Sequence, residues 1–183
     1  LQRFLPEFEK AEEKFGVPKE IIAAIIGIES SYGLITGRER VIDSLSTLAF
    51  DYPRRSNFFT KQLEHFLLLA REEKLDAFSM KGSYAGAMGY GQFIPSSYRS
   101  YAIDFDNDGI RNIVTNPIDA IGSVANYLSK HGWEKNALIV EALERNDVTS
   151  DFKTSLTLKD KDALELVSKS NLFDKKYLQI NFE

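Results

Sequence analysis

The apolar positions of this chain recur at helical spacing over most of its length. FLPEFEKAEEKFG (4–16) reads as a short amphipathic helix stopped near Gly16. Pro18 then stands where a first-turn proline is tolerated and opens a second helix running to about Ser30. SNFFTKQLEHFLLLAREEK (56–74) is the clearest amphipathic stretch, with Phe59, Leu63, Phe66, Leu67 and Ala70 at i, i+4, i+7, i+8 and i+11, and Ser56 is placed to cap it. Asn116, Pro117 and Asp119 mark a further helix start, and Lys130, His131 and Gly132 a matching stop. Short helices also fit 134–145 and 160–169, and the closing YLQINFE suits a short strand or a fragment of something longer. The pattern predicts a mainly α fold with little or no strand.

One segment stands out. IIAAIIGIESSYG (21–33) sets a single carboxylate, Glu29, at the end of the most apolar run in the chain. Glu29 follows Ile22, Ile25 and Ile26 by seven, four and three residues and so shares their face. With isoleucines at 21, 22, 25, 26 and 28 around the helix, burial on most sides is expected. A carboxylate in that setting is desolvated, which raises its pKa and keeps a proton available for general-acid work. The alternative is an acid that only ends a helix, exposed or paired with an arginine. SSYG favours the first reading, because small polar residues and a chain break put Glu29 beside a loop, where binding sites concentrate.

The bulk numbers narrow the classes. A chain of 183 residues, 43% hydrophobic and 27% charged, suits one compact domain or one domain with a small subdomain. A formal net charge of −4 argues against nucleic acid as a partner. The absence of cysteine excludes disulfides and thiol chemistry and leaves the compartment open. No apolar run approaches the ~20 residues that span a bilayer. The chain opens on Leu1 in helix-like sequence, as a processed or cut form would, so targeting segments are not legible here.

GSYAGAMGYGQFIPSSY (82–98) is too glycine-rich for an ordinary helix and too aromatic for a linker. It lacks both phosphate-cradling glycine patterns. What it offers is backbone that can approach a ligand closely, with Tyr84, Tyr90, Phe93 and Tyr98 nearby and Ser83 and Gln92 as hydrogen-bonding groups. Flat rings beside amides and hydroxyls suit a carbohydrate. A tightly packed turn explains the glycines equally well.

DFDNDGI (104–110) carries Asp104, Asp106 and Asp108 at positions 1, 3 and 5 and glycine at 6, the opening half of an EF-hand calcium loop. Ile110 at position 7 would lend its backbone carbonyl, while position 12 is Thr115 in place of glutamate. The alternative is a polar turn rich in Asp and Asn. A bound calcium would be structural, and no organic cofactor is expected. His65 and His131 lack the context of a zinc site, and His131 is placed to cap a helix dipole.

Four blocks together carry a resemblance: IIGIESSYG, SLSTLAFDYPRRSNFF, KGSYAGAMGYGQFIPSSYRSYAIDFDNDG and NPIDAIGSVANYLSKHGW. In this order and spacing, over roughly residues 15 to 135, they resemble the lytic murein transglycosylase B family. The resemblance implies a lysozyme-like helical domain with an EF-hand-like calcium loop. It implies cleavage of the MurNAc–GlcNAc bond of peptidoglycan without water, the C6 hydroxyl closing on C1 to give 1,6-anhydromuramyl products. The family's catalytic acid falls on Glu29, its arginine pair on Arg54 and Arg55, its G-S-[FY]-A-G serine on Ser83, its G-Y-G-Q-F glutamine on Gln92 and its V-A-N-Y tyrosine on Tyr127. Tyr90 and Phe93 complete the candidate substrate residues. Arg54 and Arg55 suit the carboxylates of muramyl peptide stems, or are a surface pair at a helix start.

The closing calcium ligand of the family falls on Asp119, with one extra residue between Gly109 and Pro117 compared with family members. One carboxyl acting as acid and then base meets this chemistry, whereas a water-using hydrolase needs a second facing acid. Glu39, Asp43 and Asp51 have no spacing that places them there. The remaining alternatives are a hydrolytic muramidase and a non-catalytic peptidoglycan-binding, calcium-stabilised module. The expected organisation is a transglycosylase domain over 1–145, with the calcium loop near 104–119, followed by a weakly matching part over 146–183. A monomer in the bacterial cell envelope is expected, periplasmic and either soluble or lipid-anchored through a segment outside this sequence.

Overall fold

The computed structural model describes residues 2–136. After a short 3-10 turn, α1 (Leu5–Phe15) buries Phe8 and Ala11 and ends at Gly16, whose φ of 72° lets its N–H reach back to the Glu12 carbonyl. α2 (Lys19–Ser30) follows Pro18 directly. β1 (Glu39–Arg40) leads into α3 (Val41–Asp51), and a 3-10 turn over Pro53–Arg55 leads into α4 (Ser56–Glu72). β2 (Lys81–Gly82) pairs antiparallel with β1, Glu39 opposite Gly82 and Arg40 opposite Lys81. α5 (Pro95–Tyr101) and α6 (Pro117–Lys130) complete the described residues.

α6 is the central element. Asn116 caps it, its side-chain oxygen accepting the Ile118 N–H at 3.0 Å, and every residue from Asp119 to Ala125 is buried. α1, α2 and α5 pack against it, while α3 lies along α4 and α4 against α5. Gly122 is the point of closest approach, because a Cβ there would stand 2.3 Å from the ring of Phe105. One continuous core results, in which Ile22, Leu45, Phe66, Tyr98 and Ile121 are at most 2% exposed. Each such side chain contributes about 1.5–3 kcal/mol by leaving water.

The mainly α expectation agrees with this architecture, and several local readings differ from it. α3 and α5 were not expected. α4 buries Phe59, Gln62, Phe66, Leu69 and Ala70, whereas Leu67 is 49% exposed. Its stripe runs i, i+3, i+7, i+10, i+11, and Gln62 is admitted because its amide oxygen accepts the Ser96 N–H at 3.0 Å, fixing the start of α5. Ser56 does not cap α4. It is the first helical residue, and its hydroxyl donates to the Ala49 carbonyl instead. The end of α4 is tied down by two arginines: Arg99 forks onto Glu72 at 2.9 and 2.6 Å, and Arg111 grips Glu73. Of the helix expected over 134–145, Lys135 and Asn136 form a turn, and the rest lies outside the described residues. The helix expected over 160–169, the closing strand and the 146–183 part also lie outside them.

Candidate active site

The site begins where α2 stops. Ser31, Tyr32 and Gly33 all take positive φ, 50°, 59° and 87°, and reverse the chain immediately after Glu29 and Ser30. Left-handed backbone at two non-glycine residues costs about 1–3 kcal/mol each and persists only where neighbours enforce it. Ser30, 1% exposed, is the enforcer. Its hydroxyl accepts the Gly33 N–H at 3.0 Å and lies 2.7 Å from the carbonyl of Tyr90 and 3.1 Å from that of Ile26. It therefore fastens the end of α2 to the glycine-rich segment.

That segment is a tight loop. Met88 and Phe93 exchange backbone hydrogen bonds at 2.9 and 3.0 Å, enclosing Gly89, Tyr90, Gly91 and Gln92. The side-chain amide of Gln92 donates to the carbonyls of Thr36 at 3.1 Å and Gly89 at 2.9 Å, pinning the loop from the other side. Gly91 is required by crowding: a Cβ would stand 2.8 Å from Val124 of α6 and 2.9 Å from the Phe93 ring.

Between α2, this loop and α6 lies a cavity of about 390 Å³, lined by Ile25, Glu29, Gly91, Gln92, Phe93, Ile94, Ser97, Val124, Tyr127 and Leu128. Four candidate residues, Glu29, Gln92, Phe93 and Tyr127, thus meet on one surface, and Glu29 is its one carboxylate. The expectation that apolar helix surrounds Glu29 does not hold. α2 buries Ile22, Ala23, Ile26 and Ser30 in a single stripe, Ile28 is 76% exposed, and Glu29 itself is exposed. α2 packs on α1 and α6 through that stripe, Ile25 and Glu29 contribute to the cavity wall, and Ile28 faces solvent. Desolvation of Glu29 has to come from an occupant of the cavity and not from the isoleucines.

The other candidate residues lie outside this cavity. Tyr90 is held through its backbone, its N–H donating to Ile113 at 3.1 Å, and its ring covers Gly33. That ring lines a smaller cavity of about 140 Å³ with Phe4, Phe8, Ile26, Tyr32, Pro117 and Ile121, which holds no acid or base. The Ser83 hydroxyl accepts the N–H groups of Ala85 at 3.3 Å and Ala87 at 3.0 Å, building the turn that follows β2. Arg54 and Arg55 are exposed on the 3-10 turn before α4. The Arg55 guanidinium lies 4.3 Å over the Phe58 ring and 5.3 Å from Phe59.

The acidic loop gathers three of the expected ligands. Asp104, Asp106 and Asp119 bring carboxylate oxygens within 4.8 Å of one another. Asp119 is fully buried and accepts the N–H groups of Phe105 and Asn112, each at 2.8 Å. Burial pushes its carboxyl above the usual range, those two N–H groups pull the other way, and Asp106 and Asp104 add to the push. An all-oxygen set of clustered acids fits a hard cation such as calcium. Asp108 is not among the three convergent carboxylates, and its own carboxylate accepts the Ile110 N–H at 2.8 Å. Thr115 is engaged with the Asn112 side chain at 2.7 Å, so Asp119 is the acid that closes the cluster.

A sequence-family profile described as Transglycosylase SLT domain matches residues 1–176. The chain belongs to this family. It is 56% identical over 126 residues to the membrane-bound lytic murein transglycosylase B of Escherichia coli K12, across 69% of this chain and 35% of that protein. Among solved structures, the lytic transglycosylase Slt35 of Escherichia coli in complex with calcium matches with a TM-score of 0.72 and 52% identity, over 74% of this chain and 43% of the other. SltB3 of Pseudomonas aeruginosa in complex with NAG-anhNAM-pentapeptide matches with a TM-score of 0.71 and 40% identity, over 75% and 36%. The chain thus spans between a third and a half of the length of these relatives. Its mainly helical fold, with one two-residue strand pair among the described residues, is the lysozyme-like architecture of this family. No helix of the described residues is long and apolar enough to cross a membrane.

Within the family domain, sequence reasoning placed Ile25 beside Glu29 but missed the part played by Ser30 and the lining residues Ile94, Ser97, Val124 and Leu128. Val124 and Leu128 flank Tyr127 on α6, and helical spacing from Tyr127 was a usable signal for both. Ser30 had only its place directly after Glu29 to announce it.

Proposed function

We propose that this domain is a peptidoglycan lytic transglycosylase that breaks the MurNAc–GlcNAc bond and releases 1,6-anhydromuramyl products. The observation that carries the proposal is the single carboxylate, Glu29, in a cavity otherwise lined by apolar, aromatic and amide groups. Glu29 as an acid gives its proton to the glycosidic oxygen and the C1–O bond breaks. The resulting carboxylate then takes the proton of the muramyl C6 hydroxyl as its oxygen bonds to C1, and Glu29 is again protonated. No water is consumed, and no second acid faces Glu29 among the cavity residues, as a two-carboxylate hydrolase requires. A glycan seated in the cavity supplies the desolvation that the exposed Glu29 lacks in the free protein. Tyr127 offers a face to a sugar ring, the buried Phe93 packs against it, and Gln92 holds the loop that leads into Phe93.

The relatives support this reading through their names, and SltB3 through the anhydromuramyl fragment it binds. Arg54 and Arg55 are suited to stem-peptide carboxylates and Ser83 to the rim. Asp104, Asp106 and Asp119 would hold a structural calcium, with Asp108 and the Ile110 carbonyl completing its shell; that ion fixes the loop before α6 and takes no part in bond cleavage. The expected setting is the periplasm, as a monomer that is soluble or anchored by a segment beyond this sequence.

The test is digestion of purified peptidoglycan followed by mass spectrometry. Anhydro products that vanish in Glu29→Gln support the assignment. Products heavier by one water point to a hydrolytic muramidase, and binding without any cleavage points to a non-catalytic module. Undiminished release by Glu29→Gln sinks the role of Glu29.

A further inference from the structure

Tyr127 reaches the cavity from the last turn of α6, and three rings hold it. Phe93 lies 5.5 Å away at 59°, and Tyr101 of α5 meets it edge-on at 5.2 Å and 82°. The third is His131, stacked face to face with Tyr127 at 3.9 Å and 21°. The imidazole cannot turn freely, because its Nδ1 lies 2.7 Å from the Tyr127 carbonyl and Tyr101 abuts its edge at 4.7 Å. His131 is exposed and lies outside the core, so it is not needed to fill the interior. Capping α6 needs only its backbone N–H, which donates to the Tyr127 and Leu128 carbonyls at 3.1 and 3.0 Å. The stacked ring is extra to that task.

We propose that His131 is a positioning residue, a backing plate that presses the Tyr127 ring into the orientation in which it meets a sugar face. This rests on the reading of the cavity as a glycan site. A tyrosine on the edge of a helix end has two torsions to settle before it can stack on a ligand. Ordering one such side chain on binding weakens affinity about two- to tenfold, and His131 removes that cost in advance.

The experiment compares the full chain with His131→Ala, His131→Asn and His131→Phe on soluble peptidoglycan fragments. His131→Ala is expected to raise KM about two- to tenfold with kcat within about twofold, since Tyr127 takes no part in proton transfer. His131→Phe keeps the stacked face and restores KM, whereas His131→Asn keeps a polar group near the Tyr127 carbonyl without a face and behaves as alanine. A wild-type KM in His131→Ala overturns the inference, as does a loss confined to kcat or a phenylalanine variant as impaired as the alanine one. Two further readouts separate this from the proposed reaction. Glycan titrated into the same His131 variants carrying Glu29→Gln reads binding with no turnover, so a chain that binds but never cleaves still tests His131. The Tyr127 ring proton shifts of the ligand-free chain read the stack itself: they should move in His131→Ala and be largely kept in His131→Phe. Unmoved shifts in His131→Ala reject the backing role even if the chain proves to be a transglycosylase.

Discussion

Glu29 stands in the last turn of α2 and Asp119 in the first turn of α6, each carboxylate inside an apolar stretch of helix. Glu29 is exposed at a cavity and, among the described residues, accepts no hydrogen bond from the protein. Asp119 is fully buried, and each of its oxygens receives a backbone N–H. The helix dipole favours a negative charge at the N-terminal position of Asp119 and opposes it at the C-terminal position of Glu29. One acid is tied to its loop by two donors, and the other, on the reading proposed above, is left free to react. The apolar neighbours of an acid in the sequence do not tell the two apart. What decides is whether the rest of the chain supplies donors to it or leaves an open side.

The contrast is broken most directly by paired isosteric changes. Glu29→Gln should lower cleavage about 10²–10⁴-fold, the range for loss of a positioned acid–base group, with no loss of melting temperature. Asp119→Asn should do the reverse, because an amide places N–H hydrogens against the N–H of Phe105 or Asn112. Leaving one of these buried donors unpaired costs about 1–3 kcal/mol, read as a lower denaturant midpoint. The same variant tests the cation. Calcium at a hundredfold excess over its Kd should stabilise the wild type by about 2.7 kcal/mol, chelation should remove this, and Asp119→Asn should not respond. If Glu29→Gln unfolds the protein, or Asp119→Asn leaves stability and the calcium response intact, the division of roles is wrong.

How the sequence misplaced burial follows from the same contrast. α1, α2, α4 and α6 were legible because each carries its own punctuation: Gly16, Pro18, the stripe of α4 and the Asn116 cap. α3 has Val41, Leu45 and Ala49 at helical spacing, but no side-chain cap, and β-branched and hydroxyl residues dilute its pattern. α5 was hidden behind the glycines, although Pro95 at its first turn was a fair signal. In α2, isoleucines on every side suggested a surrounded helix. Local pattern records how apolar a face is and not whether a neighbour covers it, and here Ile28 is left to solvent and Glu29 to the cavity. The loop around Gly89–Gln92 was recognisable as special, but the Ser30–Tyr90 and Gln92–Thr36 bonds that aim it join residues 60 and 56 positions apart.

A second buried acidic group sharpens the rule that burial serves the fold here. Tyr98 is fully buried, its hydroxyl donating to the Arg111 carbonyl at 2.8 Å and accepting the Ile113 N–H at 3.3 Å. Burial pushes its pKa up to about 12, partly offset by the Ile113 N–H. Above pH 10 the unfolded phenol loses its proton while the folded one keeps it, so stability must fall as pH rises from about 10 to about 12. Two pH units correspond to about 3 kcal/mol at most, visible as a loss in alkaline denaturation midpoints. Tyr98→Phe should flatten that loss while costing about 1–2 kcal/mol at neutral pH, because the Ile113 N–H is left without its partner. Equal alkaline slopes in both proteins would place the titrating group elsewhere.

The smallest change bears on the boundary between the two kinds of acid. Ser30 is buried while its neighbour Glu29 is exposed, so one peptide bond separates the fold's interior from its cleft. Ser30→Ala removes a single hydroxyl, leaving the Gly33 N–H and the Tyr90 carbonyl short of one partner each. The stability cost should be only about 1 kcal/mol, since both groups sit in loops that can turn toward water. The activity cost should be larger in proportion and fall on kcat, because that hydroxyl is the bond from the end of α2 to the loop bearing Gln92 and Phe93. A displacement of order 1 Å between an acid and its substrate is worth about 10²-fold in rate, whereas the fold hardly registers it. Ser30→Ala with unchanged kcat would mean that the turn at Ser31–Gly33 aims Glu29 unaided. A fall in melting temperature matched by an equal fall in kcat and in binding would mean that Ser30 serves only the fold.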